Sequence, residues 1–262
     1  MEILNLDMAG IIHACMIVCP LVFLAGFIDS IAGGGGLIAT PAYMLAGLPM
    51  HSVLGTNKAM SMFGTSVAAW KYIKSGNINW RAALVAAAGS FAGSAIGSQV
   101  ALRINADTLK TAFVFLLPLV AIFVIFGKRK GADDAQQEVL TGTKFYVVAF
   151  IVCVVTGAYD GLIGPGAGTF MIIGFSTFVG LDYIKSGGCA KVVNVASNVS
   201  AFISFVTAGQ VIWAIAIPAA VFSSAGNYLG SGYAIKYGSK LVKKVMIVVL
   251  IGIFIKLAID VL

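Results

Sequence analysis

Two apolar stretches of this chain are interrupted in the same way, by an aspartate followed by glycines. Both interruptions read G-x-x-D-x-x-x-G-x-G, the first from Gly26 with Asp29 and the second from Gly157 with Asp160. A carboxylate inside a segment that is long enough to cross a bilayer is costly and usually functional. Its occurrence twice predicts a duplicated transporter in which two broken helices meet at one substrate site.

Charged residues are scarce enough to define the class of protein. The chain has 60% hydrophobic and 10% charged residues, whereas soluble domains have about 25% charged residues. The stretches without Asp, Glu, Lys or Arg include 8–28, 30–57, 82–102, 161–181 and 192–235. Each could cross about 30 Å of hydrocarbon as a helix. We therefore expect an all-α integral membrane protein in a lipid bilayer, with no soluble catalytic domain.

A second set of residues recurs at a constant offset of 133 positions. Lys58, Gly76, Trp80, Gly93, Gly97 and Ser98 correspond to Lys191, Gly209, Trp213, Gly226, Gly230 and Ser231. Such a series predicts duplication of a whole unit. We assign residues 1–130 to membrane repeat 1, 131–143 to a central cytoplasmic loop and 144–262 to membrane repeat 2.

Hydropathy and charge gaps divide each repeat into five apolar segments. They are 8–28, 36–48, 56–73, 82–102 and 108–127 in the first repeat, and 144–160, 168–180, 189–207, 213–235 and 243–262 in the second. The second segment of each repeat is short, so we expect a broken or re-entrant helix there. An odd number of crossings remains, so the two repeats should have opposite orientations.

Loop charges support this inverted topology. Lys71, Lys74 and Arg81 flank the turn at Gly76, whereas the equivalent turn at Gly209 has no charge. One loop further on the bias is reversed, with Lys236, Lys240, Lys243 and Lys244 in the second repeat. Basic residues favour the cytoplasmic side, so the net charge of +7 is explained without nucleic acid. Both termini are predicted to lie outside.

The two aspartates and the glycines around them have alternative interpretations. Asp29 and Asp160 could line a polar cavity or carry a coupling proton, or they could cap the half-helices that follow. The glycines of the breaks, Gly33, Gly34, Gly35, Gly164 and Gly166, could form an anion-binding nest of backbone N–H groups. The later glycines, Gly89, Gly93, Gly97, Gly226 and Gly230, favour close helix packing.

Lys58 and Lys191 indicate the charge of the substrate. Each is expected in the first turn of an apolar helix, and two cations where the repeats meet would suit an anion. Alternatively, they snorkel to the interface or pair with Asp29 and Asp160. The neighbouring polar residues Thr56, Asn57, Asn194 and Asn198 could hydrogen-bond sulfonate or carboxylate oxygens, or join helices to each other.

The cysteines raise a different possibility. Cys15 and Cys19 lie four residues apart, on one face of a helix, and could form a redox pair within the membrane. They do not recur in the second repeat, so packing as small apolar residues is favoured. We predict no metal site and no cofactor.

The motifs resemble those of the TauE/SafE sulfite exporter family. The similar residues are 29–38, Pro41, 47–49, 55–58 and 76–80 in the first half, and 157–194 and 209–213 in the second. The resemblance covers essentially the whole chain and implies a carrier of the bacterial or archaeal inner membrane that exports sulfite, sulfoacetate or a related organosulfonate. It implies roles for Asp29, Gly33, Asn57, Lys58, Asp160, Gly164, Gly166, Lys191, Asn194 and Asn198. Thr56-Asn57 has no counterpart at Cys189-Ala190.

We therefore expect a secondary transporter rather than an enzyme, working by alternating access on a small sulfur-containing anion. The expected partners are that anion, the bilayer and, in a homo-oligomer, further copies of the chain. A carrier of another small anion, a cation-coupled permease, a channel and an intramembrane thiol-redox protein remain as alternatives.

Overall fold

The computed structural model describes residues 8–126 and 142–237, and its regular structure within these ranges is helical. The first half forms α1 (Met8–Ala32), α2 (Gly36–Leu45), α3 (Met50–Lys74), α4 (Trp80–Arg103) and α5 (Ala106–Phe126). The second half forms α6 (Gly142–Leu162), α7 (Ala167–Gly174) with a π-helical turn (Phe175–Val179), α8 (Tyr183–Thr207) and α9 (Trp213–Tyr237). The segment predicted over 243–262, most of the central loop and the termini lie outside the described residues.

The distribution of side chains is that of a helical membrane protein. Helices α1, α4, α6 and α8 are long and apolar enough to cross a membrane. Large apolar side chains such as Phe115, Val155 and Val221 face outward, while Lys58 and Lys191 are buried. Soluble proteins show the opposite distribution, because most of their large apolar side chains are buried and most of their lysines are exposed. The prediction of an all-α membrane protein is confirmed.

The two broken segments are visible as short helices. Helix α2 has 10 residues, and α7 with its π-helical turn covers residues 167–179. At about 1.5 Å per residue, neither reaches across the roughly 30 Å hydrocarbon layer. Each follows a long helix, α1 or α6, after a glycine-containing break.

Two helices begin earlier than hydropathy predicts. Helix α3 begins at Met50 instead of 56, and α8 begins at Tyr183 instead of 189. Pro49 directly precedes α3, and the Asp182 side chain accepts a hydrogen bond from the N–H of Lys185 at 2.9 Å. Proline and an N-cap aspartate are both helix-start signals. These signals outweigh the polar residues that follow them.

The earlier starts change the position of the two lysines. Lys58 follows Met50 by eight residues, and Lys191 follows Tyr183 by eight. At about 1.5 Å per residue, each lysine lies roughly 12 Å inside its helix. The prediction that they occupy the first turn is therefore wrong, and the dipole of their own helix has little influence on them.

Helices of the two halves pack alternately instead of forming separate bundles. Helix α4 packs along α6 and α8, and α9 packs along α1 and α3. A Cβ atom at Gly93 or Gly97 would overlap the backbone carbonyls of α6, and one at Gly226 or Gly230 would overlap those of α1. The packing interpretation of these glycines is confirmed, since only a residue without a side chain permits such an approach.

Helices α3 and α8 pack against each other in opposite directions. The Thr56 hydroxyl, in the second turn of α3, accepts a hydrogen bond from the N–H of Ile212, just beyond α8, at 3.1 Å. The Cys189 sulfur, in the second turn of α8, accepts one from the N–H of Asn79, just beyond α3, at 3.3 Å. The segment after α8 therefore contacts the second turn of α3, and the segment after α3 contacts the second turn of α8.

Candidate functional site

The two glycine-containing breaks lie against each other. The carbonyl of Gly33 accepts a hydrogen bond from the N–H of Thr169 at 3.1 Å, and the carbonyl of Ala32 accepts one from the Thr169 hydroxyl at 2.7 Å. Gly33 has a φ of +78°, and a Cβ there would overlap the backbone of Gly168. Both the left-handed conformation and the close approach therefore require glycine.

Each of the two buried lysines pairs with the aspartate of the other half. Lys58 Nζ lies 2.8 Å from Asp160 Oδ2, and Lys191 Nζ lies 2.6 Å from Asp29 Oδ2. The side chain of Asp29 is the most open of the four, with 14% of its surface exposed. Removing one partner from a buried pair leaves an uncompensated charge. The four charges neutralise one another, so the alternative in which the lysines pair with the aspartates describes this structure.

The two aspartates differ in their other partners. Asp29 Oδ1 accepts a hydrogen bond from the N–H of Gly35 at 3.2 Å, directly before α2. Asp160 Oδ2 accepts one from the Ser197 hydroxyl instead. Both short helices begin after a glycine that has no side chain for capping, Gly35 for α2 and Gly166 for α7. The Asp29 carboxylate therefore binds the N–H directly before α2, whereas the Asp160 carboxylate binds a side chain of α8.

A cavity of about 40 Å³ lies between the breaks and is lined by both halves. The predicted site residues on its wall are Asp29, Gly33, Gly35, Asn57, Lys58, Asp160, Gly164, Asn194 and Asn198. A buried water needs roughly 10–15 Å³ of such space. The cavity therefore has room for a few waters or for an anion of a few atoms.

Four predicted binding residues do not line this cavity. Thr56 contacts the turn after α8, and Lys191 lies behind Asp29. Gly34 accepts a hydrogen bond from the N–H of Leu37 at 3.1 Å, in the first turn of α2. Gly166 has a φ of +82° and begins α7. Gly34 and Gly166 therefore belong to the breaks, whereas Thr56 holds the turn after α8 and Lys191 holds the carboxylate of Asp29.

Lys58 directs an ammonium group towards the cavity. An ammonium has three donors, and two of those of Lys58 go to Asp160 Oδ2 and Asn198 Oδ1. Among the described residues, no acceptor takes the third. Gly164 lies close by, with a φ of +92°, and a Cβ there would be 3.8 Å from Lys58 Nζ. Its missing side chain leaves that approach open.

A chain of hydrogen bonds that begins at Lys58 orients two amides. Asn198 Oδ1 accepts from Lys58 Nζ at 3.1 Å, so Asn198 Nδ2 donates to Asn194 Oδ1 at 2.8 Å. The orientation is determined because an ammonium can only donate. Asn194 consequently directs its Nδ2 donor towards Gly168 on the cavity wall. The Lys58 ammonium and the Asn194 amide are therefore hydrogen-bond donors on this wall.

The cavity also includes residues that were not selected from the sequence. Ser223 and Asn227 reach it from α9. They belong to a series with Ser231, spaced by four residues along a helix segment without charge. Such spacing places the three side chains on one face, and this polar stripe was the signal that could have revealed them.

The four cysteines do not line this cavity, and residues of the types that bind metals are dispersed. All four cysteines are free thiols, and the Cys189 sulfur donates to the carbonyl of Asn79 at 3.5 Å. Within residues 8–126 and 142–237, no group of three or more His, Cys, Asp or Glu side chains could hold a metal ion. The acids at the cavity are instead occupied by the two lysines.

Comparisons with known proteins extend over most of the chain. The family model described as "Sulfite exporter TauE/SafE" matches residues 18–257. The chain is 37% identical over 238 residues to a protein of Sinorhizobium sp named "Probable membrane transporter protein ORF9", covering 91% of this chain and 90% of that protein. It is 33% identical over 226 residues to "Probable membrane transporter protein YfcA" of Escherichia coli K12, covering 86% and 82%. No solved structure matches the chain.

Proposed function

The chain belongs to the sulfite exporter TauE/SafE family, and from this premise we propose that it is a secondary transporter of a small sulfur-containing anion. The cavity between the breaks is the proposed binding site. The observation that carries this proposal is the buried ammonium of Lys58, which retains a donor beside an open glycine surface. Asn194 adds an oriented amide donor on the same wall.

The two lysines differ in their access to the cavity. Lys58 lines the cavity, whereas Lys191 lies behind Asp29 and contacts its carboxylate at 2.6 Å. We therefore propose that Lys58 binds the anion directly and that Lys191 keeps Asp29 neutralised. Asp160 balances the charge of Lys58 when the site is empty, and a bound anion shares that ammonium with it. Asp29 or Asp160 could then accept a coupling proton.

The volume of the cavity favours a small substrate. Space for a few waters corresponds to an anion of about four heavy atoms, and the cavity has about 40 Å³. Sulfite is closer to this size than sulfoacetate, so sulfite is the first substrate to test. Another small oxyanion of the same size is the second candidate, because no contact at this wall requires sulfur.

The arrangement of the helices supports alternating access through inverted repeats. Equivalent helices α3 and α8 are antiparallel, and each lysine reaches the aspartate of the other half. Reciprocal contacts of this kind are expected for two repeats related by an axis in the membrane plane. With the basic turn at Gly76 on the cytoplasmic side, both termini would lie outside a bacterial or archaeal inner membrane.

The test is counterflow in proteoliposomes that contain the purified chain. Vesicles loaded with unlabelled sulfite should transiently accumulate labelled sulfite, and saturating sulfite should compete with the label. Empty liposomes provide the control. Ohmic currents without counterflow would identify a channel, and counterflow of another oxyanion but not of sulfite would replace the substrate. The absence of anion counterflow altogether would overturn the proposal.

A further inference from the structure

One side chain on the cavity wall has an acceptor without a partner. Asn227 of α9 is 2% exposed, and its Oδ1 makes no hydrogen bond. Its Nδ2 donates to the carbonyl of Ser223 at 2.9 Å and approaches the Ser223 hydroxyl at 3.3 Å. The reversed amide would place Oδ1 against that carbonyl, so this contact determines the orientation.

Asn227 has no equivalent in the other half of the chain. The residue 133 positions earlier is Ser94, whose hydroxyl donates to the carbonyl of Ser197 at 2.8 Å away from the cavity. On the Asn227 side, a Cβ at Gly64 would lie 2.7 Å from Asn227 Nδ2. The missing side chain of Gly64 thus makes room for the asparagine. Asn227 therefore occupies one side of the cavity wall, next to Gly64.

The cavity wall both donates and accepts hydrogen bonds. Lys58 and Asn194 present donors, whereas Asn227 Oδ1 is a buried acceptor without a partner. An oxyanion without a proton offers only acceptors and would leave the Asn227 oxygen unpaired, and an unpaired buried acceptor is unfavourable. A ligand that is anionic and also carries one hydrogen satisfies both kinds of group.

We propose that Asn227 contacts the substrate directly and that its Oδ1 accepts the hydrogen of a singly protonated oxyanion, such as hydrogensulfite. This inference rests on the proposed function and specifies the protonation state of its substrate. The four charges of the two ion pairs sum to zero, so a monoanion adds less uncompensated buried charge than a dianion.

The experiment measures binding of sulfite and nitrate to the purified chain across the pH range in which hydrogensulfite loses its proton. Nitrate has no proton to lose, so its profile reports only the titratable groups at the cavity, Asp29, Asp160 and Lys58, with Lys191 behind them. The ratio of the sulfite affinity to the nitrate affinity isolates the protonation of the ligand. In the wild type this ratio should fall as the pH rises.

The variant Asn227→Leu removes the acceptor with little change in volume. At a pH where hydrogensulfite predominates, its affinity for sulfite should fall about tenfold, as expected for one hydrogen bond to a charged ligand. Its affinity for nitrate should stay nearly unchanged, and the pH dependence of the ratio should flatten. If this variant does not fold, Asn227→Ser is the second choice, because serine is the residue at the equivalent position 94. It should also lower the ratio of the sulfite affinity to the nitrate affinity.

The control is Ser90→Ala. Ser90 also has a buried hydroxyl oxygen without a partner, but it does not line the cavity, so both affinities should be unchanged.

A ratio independent of pH, or an equal loss for both anions in Asn227→Leu, would overturn the inference. Stabilisation of the wild type by Na⁺ that Asn227→Leu abolishes would also overturn it, by making this oxygen a cation ligand. Lys58→Met/Asp160→Asn distinguishes failure of this inference from failure of the proposed function. Its loss of both anions would support the proposed site whatever the pH dependence of the ratio, and normal binding of both anions would overturn the site itself.

Discussion

Lys58 Nζ and Asp160 Oδ2 form a buried ion pair of 2.8 Å that joins the first half of the chain to the second. The equivalent residues Lys191 and Asp29 form a pair of 2.6 Å in the reciprocal direction. Only the first lysine lines the cavity between the breaks. The two pairs are thus similar in their bonding and different in their access to a ligand.

Lys191→Met should destabilise the protein because Asp29 then remains buried without a counter-charge. The expected loss is about 3 kcal/mol, at the lower end for a broken buried pair because Asp29 is partly open. Lys191→Met/Asp29→Asn should recover most of this loss, since the introduced asparagine would be neutral and could still accept from the N–H of Gly35. Thermal unfolding in detergent measures both variants. Equal unfolding temperatures for the single and the double variant would contradict the assignment.

Gly226→Ala should impair folding through a clash between helices. A Cβ at Gly226 would overlap the carbonyl of Phe23 on α1, and such overpacking costs about 1–3 kcal/mol or more. Gly47→Ala is the matched control, because a Cβ there has no neighbour within 4 Å. It introduces only backbone strain at a φ of +79°, about 1–2 kcal/mol. The yield of monodisperse protein and its unfolding temperature should fall further for Gly226→Ala than for Gly47→Ala. A larger fall for Gly47→Ala would contradict close packing of α1 and α9.

Opposite orientation of the two halves predicts that their equivalent turns lie on opposite sides of the membrane. Ser75 and Ala208 are exposed residues directly before the glycines of these turns. In a background without native cysteines, an impermeant maleimide should label Ala208→Cys in intact cells. It should label Ser75→Cys only after permeabilisation. Labelling of both variants under the same condition would rule out inverted repeats.

Cys15→Ala/Cys19→Ala should transport sulfite as the wild type does. The thiol of Cys15 lies 3.9 Å from the carbonyl of Ala214 and also contacts the thiol of Cys19, which is buried. Neither residue lines the cavity. Counterflow at equal protein density checks this expectation. A variant that folds normally but no longer transports would favour the thiol-redox alternative.

Local patterns were sufficient to predict the helical membrane fold, the short helices after each break and the packing glycines. The aspartate–glycine motif predicts a break because several glycines in close succession weaken a helix. The spacing of Gly93, Gly97, Gly226 and Gly230 predicts close packing because four residues return to the same helix face. These inferences need no information about which helices are neighbours.

Features that depend on contacts between the halves could not be predicted in the same way. The sequence allowed each lysine to pair with either aspartate or with neither, and only the antiparallel packing of α3 and α8 selects the partner. The position of Lys58 was misjudged because hydropathy averages hide a helix start, although Pro49 marked it. Asn227 was missed because its acceptor becomes significant only when the neighbouring carbonyl of Ser223 fixes its amide.

The most direct test of the central claim compares sulfite counterflow by two neutralised double variants. Lys58→Met/Asp160→Asn and Lys191→Met/Asp29→Asn each remove one ion pair without leaving a buried charge. Both should fold, as judged by gel filtration and thermal unfolding. We predict that the Lys191 variant retains most of the counterflow and that the Lys58 variant loses it, because only Lys58 presents its ammonium to the cavity. Wild-type sulfite counterflow in Lys58→Met/Asp160→Asn would contradict the account.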